Sequence, residues 1–331
     1  MDKRHLFSRA LLFVAMVLLL GVAQARANVF SDFNEKEQQL YQNAIHFMDN
    51  GMVDTGIDLL KGLDKAHPSN WAVVHEIVYG YIVKQDYEEA YQWAKKLLKL
   101  KDAGADSYVI AGNAFDHVGK RKEAIEIYEK GLKKFPNSAR LWVEKGNKAY
   151  MMKNYDESVG CYEHAIDIDP NFDVSYYRLA NLYAMSTDPV WAVMYAQNYQ
   201  LHASKYERLM EMGKLIYDLY RENVTRKDGK WEVTFTKKVN LSAYASLDCD
   251  LPYNGFFYYT HKVVLDEGGF AGDTLTLADV ARLHRKYVEI ADTTAHDYYN
   301  VPVLDMERAA LHEGHLDGYI MWMLRGADVG F

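Results

Sequence analysis

The chain has 331 residues, with 46 Asp and Glu against 38 Lys and Arg and a formal charge of −8 at pH 7. So acidic a balance argues against nucleic acid or anionic membrane as a partner. The length allows one elongated array plus a smaller globular unit.

Lys3, Arg4 and Arg9 precede the apolar run Ala10–Ala23, and Ala23-Gln24-Ala25 supplies small residues at a cleavage point. This is the three-part plan of a secretory signal peptide. The run is about 14 residues where a spanning helix needs about 20, so a retained anchor is not expected. Residues 1–25 are therefore read as a signal peptide, and their loss makes the chain more acidic still. The mature protein is expected to begin at Arg26, to be periplasmic or secreted, and to hold no integral membrane segment. Cys161 lies inside a helical repeat and Cys249 in a different region, and both are read as free thiols.

From Glu37 a period of 34 residues sets in, with units beginning at Glu37, Trp71, Ala105, Ala139 and Asp173 and ending near Tyr206. Pro68, Pro136 and Pro170 fall at one place in three of them, where the missing amide hydrogen suits a junction and not a helix interior. Small residues recur at the twentieth place as Gly56, Ala90, Ala124, Ser158 and Ala192, where two helices must approach closely. Bulky residues recur at the fourth place (Leu40, Val74, Tyr108, Trp142, Tyr176) and at the eleventh (Phe47, Tyr81, Phe115, Tyr183), with Ala149 breaking the second column. Trp142, Tyr128 and Tyr162 are expected in the packing between helices.

This pattern resembles the tetratricopeptide repeat over residues 37–206, which implies a mainly α, right-handed solenoid of about five helical hairpins. A hairpin of this size cannot bury its own apolar stripe, so neighbours stack and share one core. The resemblance further implies that the first helix of each unit lines a concave face. At the ninth place that face carries Asn113, Asn147 and Asn181, whose amides offer both a donor and an acceptor to the backbone of an extended peptide. Arg140, Tyr150, Tyr177 and Arg178 flank them, and a mixture of aromatic and polar groups suits a protein surface. One subclass of the family clamps terminal carboxylates. Here Asn113 and Arg178 match that clamp, but Val109, Glu144 and Val174 occupy its other places, so it is not expected.

Residues 207–223 read as a helix capping the stack, with apolar Leu209, Met212, Leu215, Ile216 and Leu219. The remainder, 224–331, reads as a smaller α+β unit of no recognised family. In it Trp231, Val233 and Phe235 alternate with polar residues after the turn Lys227-Asp228-Gly229, as in a strand. Thr276 and Asp279 frame a capping box ahead of a helix to about Ala291. Pro302 opens a last helical stretch, interrupted near Gly314 and ending around Arg325. The aromatic tract Pro252–Lys262 is expected to be buried against the repeats.

His312, Glu313 and His315 approach a zinc-peptidase motif, but the histidines stand three apart and Gly314 interrupts the helix. His261, His284 or His296 would have to complete such a site in space. The sequence shows no phosphate-binding glycine loop and no nucleophile elbow. It is accordingly read as an exported, non-enzymatic scaffold that binds a protein or peptide partner, with no cofactor and no metal. Two alternatives stand beside this: a hydrolase or metal-dependent enzyme with its site in 224–331, and a carbohydrate-associated surface protein using the aromatics Tyr253–Tyr259.

Overall fold

A computed structural model describes residues 30, 32–237, 252–294 and 301–327. The proposed signal peptide, Cys249 and His296 lie outside them. By compactness the chain forms two units, one up to Lys145 and one from Gly146 onward.

The first unit holds α1 (Glu35–Asp49), α2 (Val53–Ala66), α3 (Trp71–Val83), α4 (Tyr87–Leu97), α5 (Ala105–His117), α6 (Arg121–Lys134) and the start of α7 (Ala139–Met151). Four of the five expected unit boundaries coincide with helix starts, at Trp71, Ala105, Ala139 and Asp173. The first helix begins two residues early, because Asn34 caps it: its Oδ1 accepts from Glu37 N–H at 3.1 Å while Glu37 Oε2 accepts from Asn34 N–H at 2.9 Å. Asn70 caps α3 in the same way, accepting from the amides of Ala72 and Val73.

The twentieth-place residues are buried throughout the array. At Gly56 a Cβ would stand 2.4 Å from Met48 Cγ and 2.5 Å from Ala44 O, so no larger side chain fits between α1 and α2. The fourth-place aromatics do more than pack. Trp142 Nε1 donates to Pro136 O at 2.8 Å, and Tyr176 OH donates to Pro170 O at 2.9 Å, which ties each hairpin to the junction proline before it. Leu40 has no such donor, and it departs from its column by being exposed.

The second unit continues through α8 (Tyr155–Ile168), α9 (Asp173–Ala184), α10 (Val190–His202) and α11 (Tyr206–Asn223), then β1 (Val224–Lys227) and β2 (Lys230–Val233). It ends with α12 (Tyr253–Glu267), α13 (Leu277–Thr294), α14 (Pro302–His312) and α15 (Leu316–Met323). The strands pair antiparallel, Val224 opposite Val233, across Asp228 and Gly229 at φ 50° and 76°. Two positive φ values are what a two-residue primed turn requires. Among the described residues this hairpin is the whole of the sheet, so the C-terminal part is helical with a small β element.

One core runs from Tyr176 of the last repeat to Leu324, taking in Trp231, Val233 and Phe235 and one face of α12. The aromatic tract is thus a helix with Tyr253, Phe256 and Phe257 buried and Tyr259 exposed. The Thr276–Asp279 box forms, with Asp279 N–H reaching Thr276 Oγ1 at 3.2 Å and Thr276 N–H reaching Asp279 Oδ2 at 3.0 Å. The turn after α15 lies directly on α11. A Cβ at Gly213 would stand 1.9 Å from Arg325 O, and one at Gly326 would stand 2.3 Å from Met210 O.

Candidate partner-binding site

The asparagine column divides on inspection. Tyr128 OH donates to Asn113 Oδ1 at 2.6 Å, and Tyr162 OH donates to Asn147 Oδ1 at 2.9 Å. Each tyrosine stands 15 residues after its asparagine, on the second helix of the same hairpin. Both rings are buried, and burial holds the Tyr128 hydroxyl well above its usual pKa, protonated and donating. The ring lies over the glycine that precedes each asparagine: a Cβ at Gly112 would meet Tyr128 Cε1 at 2.2 Å, and one at Gly146 would meet Tyr162 Cε1 at 2.6 Å. Gly-Asn on the first helix and Tyr on the second therefore act as one interlocking device, repeated once.

The fifth repeat lacks that device. The tyrosine place is taken by buried Ala196 and the glycine place by buried Ala180. Asn181 is consequently exposed, and its Nδ2 donates to Tyr177 O at 2.8 Å, one helical turn back.

Around Asn181 the second unit forms a groove of about 230 Å³ lined by Tyr150, Tyr162, Tyr177, Arg178, Asn181, Leu182 and Met185. Four of the seven residues selected from sequence, Tyr150, Tyr177, Arg178 and Asn181, meet here. Tyr177 is held at its hydroxyl and over its ring. Its OH donates to Glu211 Oε2 at 2.9 Å, and the Arg208 guanidinium lies 4.6 Å from the ring centroid. Burial, and then the hydrogen bond to Glu211, raise its pKa, so the hydroxyl stays protonated. Arg178 is exposed and forms no ion pair among the described residues. Beyond Tyr150 the surface continues through exposed Met151, Met152 and Tyr155, with the Tyr150 and Tyr155 rings 5.8 Å apart. Sequence reading missed Leu182 and Met185, which no repeat column marks.

Asn113 and Arg140 belong to the first unit. There Arg140 Nη1 pairs with Asp106 Oδ1 at 3.1 Å, linking equivalent places of successive repeats.

The C-terminal histidines divide between two settings. His312 Nε2 lies 3.0 Å from Asp292 Oδ1, and Gly314 at φ 76° breaks the helix before His315. Among the described residues no group of three His, Cys, Asp or Glu is placed to hold a metal ion. His261 and His284 are fully buried on either side of Tyr220, whose OH lies 3.0 Å from His261 Nε2 and 2.9 Å from His284 Nδ1. His284 Nε2 lies 2.7 Å from Glu307 Oε1, which also accepts from Gln197 Nε2 at 2.7 Å. Because His261 Nδ1 faces Phe257 O at 2.7 Å, Nδ1 must carry its proton. Burial lowers the His261 pKa to about 3, so at neutral pH its Nε2 is bare and accepts from Tyr220. The Tyr220 oxygen then accepts from His284 Nδ1–H, which sets His284 Nε2 against Glu307 Oε1. With Gln200 Nε2 donating to Met323 O at 2.8 Å, this network joins α10 to α15.

The helix pairs place the array in the class of helical-hairpin repeat proteins. Tetratricopeptide-repeat family models match residues 105–137, 139–172 and 161–204, so residues 105–204 are tetratricopeptide repeats, a module that binds protein partners. Similar solved structures include MamA, at 21% identity and a TM-score of 0.41 over 53% of this chain and 95% of that one. Another is TTC0263, a thermophilic repeat protein of Thermus thermophilus, at 14% and 0.48 over 54% and 98%. A third is PilW, a type IV pilus biogenesis factor, at 16% and 0.47 over 56% and 86%. No curated protein sequence matches the chain. Among the described residues no helix is long and apolar enough to cross a membrane.

Proposed function

We propose that this is an exported, non-enzymatic scaffold that holds a protein or peptide partner on the first helices of its repeats. The observation that carries the reading is the groove on the second unit, where Tyr150, Tyr177, Arg178 and Asn181 converge at the one asparagine of the column left exposed. Asn113, Asn147 and Arg140 have an intramolecular role in addition to any contact with a partner. Export is supported by the sequence pattern of residues 1–25. The Tyr220 network supports a structural rather than a catalytic role for His261 and His284, because both rings are fully buried and their hydrogen bonds are made within the fold. The burial of Tyr253, Phe256 and Phe257 likewise leaves little aromatic surface on α12 for a sugar.

The test is to cross-link the protein to its partner in the cell envelope and then measure that partner's affinity for the wild type and for Asn181→Ala with Tyr150→Ala. The double variant is expected to bind about ten- to a hundredfold more weakly with an unchanged melting midpoint. Equal affinities would remove the groove from the function. Intact mass of the exported protein tests the address: a chain beginning at Arg26 is expected, and one beginning at Met1 refutes it.

A further inference from the structure

Resting on that reading, we infer that the groove of the second unit takes a protein segment that inserts one large apolar side chain with a carboxylate directly beside it. The groove is smaller than the sites of about 300–1,000 Å³ that enclose small molecules, so its scale is that of a side chain. Its walls mix polar and apolar surface in nearly equal share, and the apolar part is what an inserted side chain would pack on. The hydroxyls of Tyr162 and Tyr177 are already given to Asn147 and Glu211, which leaves their rings as the surface a guest meets. Leu182 and Met185 complete the lining, and Met185 with Met151 and Met152 supplies flexible, polarizable side chains that adapt to a guest. Exposed apolar residues scattered singly are ordinary, but here they run on from a formed groove.

The charge at the lip sets the neighbour of that side chain. Arg178 and Arg208 stand beside Tyr177, and the nearby Glu211 carboxylate is engaged by the Tyr177 hydroxyl. Arg178 has no carboxylate of its own among the described residues, and a guanidinium favours a planar, bidentate carboxylate partner. A lysine beside the inserted side chain would meet like charge, and a neutral residue would leave Arg178 unmatched. Among the described residues Asn181 Oδ1 meets no donor, and it is available to a backbone N–H of the guest.

The experiment uses the purified protein and an array of nonapeptides blocked at both ends, so that no terminal carboxylate is read. The central residue is Ala, Leu, Met, Phe or Trp and the next is Asp, Asn or Lys. Peptides with Leu, Met or Phe followed by Asp are expected to bind best. Arg178→Gln is expected to weaken the Asp peptides about two- to fivefold and leave the Asn peptides unchanged, as for an exposed ion pair. Met185→Lys is expected to weaken all apolar-centred peptides about tenfold. Circular dichroism should match the wild type, since both residues are exposed. Binding without preference, or unaltered in both variants, overturns this inference while the scaffold reading stands. Failure of every peptide to bind overturns the inference and the peptide-holding reading together.

Discussion

Replacing Tyr220 with Phe removes a single oxygen from the centre of the buried network and should be costly out of proportion to its size. Among the described residues the hydroxyl is the only partner of His261 Nε2 and of His284 Nδ1, both in residues with no solvent exposure. His261 cannot escape by changing tautomer, because its other nitrogen is committed to Phe257 O at 2.7 Å. Two buried polar groups are orphaned, each at about 1–3 kcal/mol, so the expected loss is about 2–6 kcal/mol in the second unit. Tyr287→Phe is the control: it is equally buried and aromatic, but its hydroxyl donates to Tyr253 OH at a long 3.3 Å, and it should lose about 1 kcal/mol or less. The two units need not unfold together, so the assay is hydrogen exchange of the amides of α12 and α13 at pH 7, read as opening free energies. Equal losses in Tyr220→Phe and Tyr287→Phe would refute the donor order assigned to the network.

Acid should weaken the same unit. The folded His261 value, about 3, lies below the unfolded value of 6.5, so between them the unfolded chain binds a proton that the folded chain refuses. The contribution is therefore full above about pH 6.5 and falls by about 1.4 kcal/mol per pH unit toward pH 3; in His261→Gln the slope measured by denaturant titration should be smaller by one proton, and an identical slope would exclude His261 as its source. Asn113→Ala should cost about 1–3 kcal/mol by leaving the Tyr128 hydroxyl buried without its acceptor, whereas Asn181→Ala should cost under about 0.5 kcal/mol. Thermal melts that rank the two the other way round would reverse the structural assignment. Gly213→Ala should destabilise the second unit, because its Cβ meets Arg325 O, while Gly160→Ala, exposed on α8 with nothing within 4 Å, should stabilise it by about 0.5–1 kcal/mol. A neutral Gly213→Ala would show that the turn after α15 does not pack on α11.

The register of the array was legible because the same contact recurs every 34 residues, so that Ala124, Ser158 and Tyr162 declare their burial by position. The two meanings of the asparagine column were not legible from the column itself. Asn113 and Asn147 differ from Asn181 through the residue before, Gly in two repeats and Ala180 in the third, and through the residue 15 places later, Tyr in two repeats and Ala196 in the third, and reading those places together would have separated them. The strand hairpin announced itself through Asp228-Gly229 and the alternation after it. The tract Pro252–Lys262 gave no periodicity to assign, since aromatic residues fall on both faces of α12. The Tyr220 network left no local trace at all. Gln197 and Glu307 are 110 positions apart, and Tyr220 and His284 are 64 apart, so no window of sequence contains the constellation.

Those separations bear on the order in which the second unit can be completed as the chain is made. Gln197, Gln200 and Gly213 belong to helices that leave the ribosome early, yet their partners are Glu307, Met323 and Arg325. Until those last residues emerge, the polar atoms of α10 and the bare backbone at Gly213 have no native counterpart, whereas each earlier hairpin finds its neighbour within a few tens of residues. The first repeats can therefore settle during synthesis, while the closing repeat must wait for the final turn of the chain. A chain held extended for passage across a membrane would meet the same constraint from its leading end, with the closing repeat the last to become fit for handling a partner.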